Sequence, residues 1–238
     1  HGGEFRDLRV EAGRVRVGAT VPMWQLGREL ANHNLLQPEQ AGLGWGPGSV
    51  GGAVRMNAGA HGAEMCGLVE AVHGVDAEGC PWERRGNQIC WEYRHTDIPE
   101  EVIITGVECR GVPGDGAAAA ARAAEIGELR KQRQPAGRSA GSVFRNAGTT
   151  PAGLLLDKCG MKGAAQGAFR VTADHANFIV NDAPEKAREN DFADLVRRCQ
   201  WRVFERTGVR LRPEVVFVNP ATAEQVAGAL PPLRLAVL

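Results

Sequence analysis

The run GPGSVGGAVRMNAGAHG, residues 46–62, holds six glycines and three alanines in seventeen positions. A soluble domain seldom leaves that much backbone without side chains, which asks what comes so close to the main chain here. Glycine opens positive φ and lets a partner touch backbone N–H groups. Successive N–H groups in such a turn form a nest for an anion such as a pyrophosphate. The run matches neither the P-loop pattern nor G-x-G-x-x-G. On chemistry alone, a phosphate cradle and a structural turn packed tightly between elements remain equally open.

At 238 residues, 43% hydrophobic and 24% charged, the chain has material for one or two domains. Lys plus Arg (28) balances Asp plus Glu (28). Zero net charge argues against a general polyanion binder, although a local basic cleft stays open. No apolar run reaches membrane-spanning length, and neither a nucleic-acid nor a membrane partner is expected. Cys66, Cys80, Cys90, Cys109, Cys159 and Cys199 form no C-x-x-C pair. Their spacing suits neither a metal site nor a disulfide framework, and they read as reduced thiols of a cytoplasmic protein. The first residue is His1, and further chain upstream of it is expected.

Periodicity predicts the elements. RVRVGATV (14–21) alternates into a strand, and MWQLGRELANHN (23–34) carries apolar residues at helical spacing. Residues 68–86 read as a hairpin with DAEG as its turn, and EVIITGVECRG (101–111) as a strand. GDGAAAAARAAEIGELRKQRQP (114–135) is alanine-rich, with Asp115 placed to cap a helix and Pro135 to end it. A short helix follows Thr150 and Pro151 up to Gly160, and ANFIVND is a strand. A long helix is predicted from Pro184 to Gly208, then a last strand at 213–218 and a tail without pattern. Hairpins and helices without regular alternation point to an α+β fold.

The order of blocks carries a resemblance. PGSVGGAVRMNAGAHG is similar to the second flavin-binding segment of the UDP-N-acetylenolpyruvoylglucosamine reductase family. EYRHTDI, RKQRQPAGRSAGSVFRN, HANFIVN and LRPEVVFV resemble four further blocks of that family, in the same order. The resemblance implies an FAD-binding domain of the PCMH-like type, represented by its second subdomain, and a C-terminal α+β substrate-binding domain. It implies a remnant of the first flavin subdomain at 1–18, the second subdomain at 19–134 and a substrate domain at 135–208. A strand at 209–220 would return to the flavin domain, and 221–238 would be tail. With most of the first subdomain absent, FAD is expected to be weakly held. The short region after Arg94 resembles the compact subtype of the family.

The implied reaction is NADPH-linked, FAD-dependent reduction of UDP-N-acetylglucosamine enolpyruvate to UDP-N-acetylmuramate, by a cytoplasmic monomer making peptidoglycan precursor. Ser142 matches the proton donor, Arg94 the ligand of the substrate carboxylate and Glu214 a catalytic acid. Cofactor contacts are implied at Pro47, Gly48, Ser49, Val50, Gly51 and Gly52, and again at Asn57, Ala58 and Gly59. Substrate contacts are implied at Tyr93, Arg130, Arg133 and Asn146, while His175 reads as structural. Trp45, Arg55, His61, Ala147 and Val216 depart from the usual pattern, which bears on flavin affinity more than on reaction type. Two other functions compete: a flavin oxidoreductase of the same fold with another substrate, and a truncated, noncatalytic UDP-sugar-binding module.

Overall fold

The computed structural model describes residues 4–11, 13–45 and 48–228. The chain divides into two compact units between Leu129 and Arg130.

The first unit is built on a five-stranded antiparallel sheet. Its strands are β1 (Leu8–Glu11), β2 (Arg14–Gly18), β5 (Val69–Val75), β6 (Pro81–Arg85) and β9 (Ile103–Arg110). Two small hairpins supply β3 (Gly59–Ala60) with β4 (Ala63–Glu64), and β7 (Trp91–Glu92) with β8 (His95–Thr96). The sheet order is β1-β2-β9-β5-β6, which puts β9 at the centre, as its run of β-branched residues favours. The β5–β6 turn is tied by Asp76, whose Oδ1 accepts from the Glu78 and Cys80 N–H groups.

Helices α1 (Met23–Asn32) and α2 (Val50–Arg55) cover one face of this sheet. Leu26, Leu30, Val50 and Val54 pack there with Val15, Val17, Val72, Val107 and Cys109. Each such buried aliphatic side chain contributes about 1.5–3 kcal/mol. The other face carries charge: Arg14 pairs with Glu70 at 2.9 Å and Arg16 with Glu108 at 2.8 Å. The alternation of exposed and buried positions along β2 is the imprint of these two faces. Helix α3 (Gly116–Arg133) follows β9, its first turn capped by Asp115 Oδ1 accepting from the Ala118 N–H at 3.0 Å.

The second unit has a four-stranded sheet ordered β10-β13-β12-β11. Its strands are β10 (Arg138–Ser142), β11 (Ala165–Gln166), β12 (Phe169–Val171) and β13 (Phe178–Asn181). Three helices join it: α4 (Ala152–Lys158), α5 (Glu189–Thr207) and α6 (Pro220–Ala227). Leu195, Val196, Cys199 and Val203 line one side of α5 and share a core with Phe144, Leu156, Val171, Ile179 and Leu211. Gly208 ends α5 in the left-handed conformation at φ 71°.

Several expectations change. The described residues of the expected remnant are not set apart: β1 and β2 hydrogen-bond into the same sheet as β9 and β5. The boundary lies at Leu129/Arg130 and not at 134/135. The strand expected at residues 213–218 does not form. Only Pro213 bridges, to Phe144, and Arg145 N–H donates to Arg212 O at 2.9 Å, so the segment belongs to the second unit. Pro184 opens a short 3-10 turn, and α5 begins at Glu189. The expected tail holds α6, started by Asn219 Oδ1 accepting from the Ala221 N–H at 3.1 Å with Pro220 behind it.

At the start of α2, the close partner of the glycine run is Ala19. A Cβ on Gly51 would lie 2.8 Å from Ala19 Cβ and 3.2 Å from Ala19 O, whereas one on Gly52 would meet only Ser49 Oγ at 3.4 Å. Gly51→Ala should therefore destabilise by about 1–3 kcal/mol, as overpacking does. Gly52→Ala should be neutral, or stabilising by up to about 1 kcal/mol through helix propensity. Urea denaturation midpoints of the two variants check the contrast.

Candidate functional site

In the first unit, the glycine run becomes the entrance to α2. Gly48 has φ 126° and no atom within 4 Å of where a Cβ would stand. Ser49 caps the helix, its Oγ accepting from the Gly52 N–H at 3.3 Å. Val50 N–H donates to Val21 O at 2.9 Å and Gly51 N–H to Ala19 O at 2.8 Å. A bound pyrophosphate needs room beside the main chain and donors aimed at it. Gly48 offers such room beside its Cα, whereas Val50 and Gly51 turn their N–H groups into the fold. Pro47 lies outside the described residues.

Past α2 the run is tightly tied. Ala58 N–H donates to Ala53 O at 2.7 Å. Asn57 is 1% exposed at φ 40°, and its whole carboxamide is engaged. Nδ2 donates to Glu64 Oε2 at 3.0 Å and Glu92 O at 3.1 Å, and Oδ1 accepts from the Cys66 N–H at 3.1 Å. A Cβ on Gly59 would meet Ala63 O at 2.9 Å. The side chain of Asn57 thus holds protein, which makes any part it has in cofactor binding indirect.

Tyr93 and Arg94 form the turn between β7 and β8. Arg94 takes φ 58°, Nη2 donates to Gly59 O at 2.8 Å, and the guanidinium sits 4.9 Å from the Tyr93 ring centre. Tyr93 is exposed. An arginine beside an open aromatic face suits a carboxylate ligand.

In the second unit, Ser142 ends β10 opposite Phe178. The register shifts between Ser139 and Ser142, where Gly141 takes φ 82°. A bulge of this kind re-aims the side chains at its exit. The next residue, Val143, is held from both sides: its N–H donates to Asn177 O at 2.9 Å, and its carbonyl accepts from the Glu214 N–H at 2.7 Å. Ser142 and Glu214 are thereby brought to one place, although far apart in sequence. Asn177, 4% exposed, locks Phe144 with a reciprocal pair, Phe144 N–H to Oδ1 and Nδ2 to Phe144 O, both at 2.9 Å.

Asn146 has a local task, with Oδ1 accepting from the Ala152 N–H at 3.1 Å at the start of α4. Arg130 and Arg133 occupy the last turn of α3, one helical step apart. Arg130 is half-buried, and that burial lowers its pKa, while Arg133 is exposed. The residues that sequence reasoning passed over are Asn177 and Arg55. Asn177 lies inside the quoted HANFIVN block, and Arg55 was marked only as a departure.

Among the described residues, no group of His, Cys, Asp and Glu is placed to hold a metal ion, and no helix is long and apolar enough to cross a membrane. All six cysteines are free thiols, with burial pushing Cys109 and Cys199 up to about 12.

Residues 132–218 match the family model for the UDP-N-acetylenolpyruvoylglucosamine reductase C-terminal domain, and residues 3–80 match that for an FAD binding domain. A relative from Methylorubrum extorquens, named UDP-N-acetylenolpyruvoylglucosamine reductase, is 34% identical over 90% of this chain and 68% of its own. One from Myxococcus xanthus with the same name is 37% identical, over 89% and 67%. The crystal structure of the UDP-N-acetylenolpyruvylglucosamine reductase from Thermus caldophilus superposes with a TM-score of 0.77 at 33% identity. It covers 90% of this chain and 75% of that one.

His175 is packed into the second unit. Its Nδ1 accepts from the Asn177 N–H at 3.2 Å and its ring meets Phe178 edge-on at 4.8 Å. Burial lowers its pKa below the ordinary histidine value. The unfolded chain therefore takes up this proton first as pH falls. His175 imposes no penalty above about pH 6.5, and stability should drop as pH falls from there through the folded pKa. His175→Asn should flatten that part of the stability–pH profile, measured by thermal melts from pH 8 to 5.

Proposed function

Because the chain belongs to the UDP-N-acetylenolpyruvoylglucosamine reductase family, we propose that it reduces UDP-N-acetylglucosamine enolpyruvate to UDP-N-acetylmuramate in the cytoplasm. NADPH is the electron source, and FAD is held by the first unit. When bound, FAD supplies the hydride for the terminal enol carbon. The observation that carries the reading is the Val143 carbonyl accepting from the Glu214 N–H at 2.7 Å, which holds Glu214 beside the strand that presents Ser142.

Each residue then has one task. As the carbon–carbon double bond accepts hydride at its terminal carbon, its electron pair moves to the α-carbon and the adjoining carboxylate. The Arg94 guanidinium binds that carboxylate as its charge rises. The Ser142 hydroxyl delivers its proton to the α-carbon and forms the new C–H bond. A serine is a weak acid, so a strongly basic carbanion must draw the proton off. Glu214 is the acid that supports this transfer at the same strand end. Arg130, Arg133, Asn146 and Tyr93 bind the sugar and diphosphate. Gly48 leaves the main chain open to the cofactor's pyrophosphate.

Stopped-flow absorbance of the flavin-loaded protein tests the assignment of Ser142. In Ser142→Ala, bleaching of the flavin by NADPH should be nearly unchanged. Recovery of absorbance on adding the enolpyruvyl substrate should slow by about 10²–10⁴-fold, the usual range for a positioned acid. Ser142→Cys should keep more activity, because a thiol also carries a proton. Equal slowing of both phases would make the serine a positioning group, and no slowing would remove it from the chemistry.

A further inference from the structure

Three alternate residues within the glycine run grip one segment of the first unit. Asn57 Nδ2 donates to Glu92 O at 3.1 Å, just before the Tyr93–Arg94 turn. Gly59 O accepts from Arg94 Nη2 at 2.8 Å, at the turn itself. Arg55 holds everything beyond it. Its Nη1 donates to Ile98 O at 2.9 Å and Pro99 O at 2.8 Å, and its Nη2 donates to Val102 O. Its own carbonyl accepts from Thr96 Oγ1 at 3.1 Å, and that threonine is 3% exposed.

A residue other than glycine keeps a left-handed backbone only where its surroundings over-determine it. Arg94 is such a residue, at φ 58°. Contacts from positions 55, 57 and 59 flank it on both sides, and Arg55 makes those to residues 96–102 beyond the turn. The planar guanidinium suits this work, because its donors spread in a fixed fork across several carbonyls. A glutamine has two donors and a tyrosine one. Glu100 and Glu101 add opposite charge close to the fork.

We propose that Arg55 is a positioning residue for Arg94: its guanidinium, bonded to the carbonyls of Ile98, Pro99 and Val102, holds the Tyr93–Arg94 turn in the conformation that presents Arg94 to the substrate carboxylate. The proposal deepens the functional reading above and rests on it for the role of Arg94. It also joins the two ends of α2, with cofactor entrance at Gly48 and substrate arginine beyond Arg55. The departure at position 55 thus bears on the substrate half of the reaction more than on the flavin.

Hydrogen exchange on the full chain reads the clasp without any turnover. In Arg55→Gln, amides of residues 92–103 should exchange about tenfold faster or more, while those of α1 and β5 stay unchanged. In flavin-loaded protein, NADPH bleaching should stay within about twofold of wild type. Recovery with the enolpyruvyl substrate should slow by about 10–100-fold, as misplacement of a reacting group does. Arg55→Lys should restore part of both losses, and it carries the same comparison if the glutamine variant does not fold. In an Arg94→Ala background, Arg55→Gln should slow recovery by less than about twofold further, since coupled residues are not additive. Unchanged exchange at 92–103, or an equal further slowing without Arg94, would overturn the proposal. A wild-type protein inert toward the enolpyruvyl substrate would overturn the functional reading instead, and exchange alone would then decide whether Arg55 holds the turn.

Discussion

The first unit depends on a contact between a glycine and an alanine methyl. Gly51 lies flat against Ala19, and three main-chain bonds seal the approach: Gly51 N–H to Ala19 O, Val50 N–H to Val21 O, and Met23 N–H to Gly48 O. They seat the start of α2 on the end of β2 and fix the start of α1 in the same stroke. A side chain there would push α2 outward by more than a core tolerates, since interiors are packed to crystal density. The direction of α2 then decides where Arg55 and Asn57 emerge, and so where the Arg94 turn can sit. A backbone contact at one end of a short helix is in this way transmitted to a guanidinium at the other.

The second unit solves a related problem with a side chain. A strand that bulges at Gly141 loses part of its ladder, and the exposed N–H and C=O groups must find other partners. Asn177 supplies them. Its carboxamide copies a backbone pair and bonds both polar groups of Phe144, while its carbonyl takes the Val143 N–H. The far side of Val143 is left for Glu214. The bulge, the asparagine and the glutamate are therefore one device, and Ser142 stands at its mouth.

Much of this was legible where the signal was local. The cap at Asp115, the DAEG turn and the β-branched run of β9 each determine their element within a few residues, and each stands where the sequence puts it. Other features depend on partners that sequence does not reveal. PEVVFV has the composition of a strand, yet only Pro213 finds a bridge and Val216 and Val218 remain exposed. The helix α6 has its own local signal, Asn219 followed by Pro220, without the apolar stripe that marks the longer helices. The glycine run announced a close approach but not that Ala19 makes it. The candidate catalytic residues were readable only through the resemblance of whole blocks. No spacing rule would have paired Ser142 with Glu214, because the link is one carbonyl on Val143.

The distribution of thiols has a practical corollary. Cys66, Cys80 and Cys90 are exposed and all lie in the first unit, whereas the second unit's Cys159 and Cys199 are buried. Only thiolates react readily with electrophiles, so a thiol buried to a pKa of about 12 is chemically silent at neutral pH. Burial and Glu64 also raise the pKa of Cys66, which slows that thiol toward electrophiles. A maleimide dye would mark one half of the molecule and leave the other dark until it opens. The native sequence thus carries its own reporter, able to distinguish unfolding of the two halves without a single engineered residue.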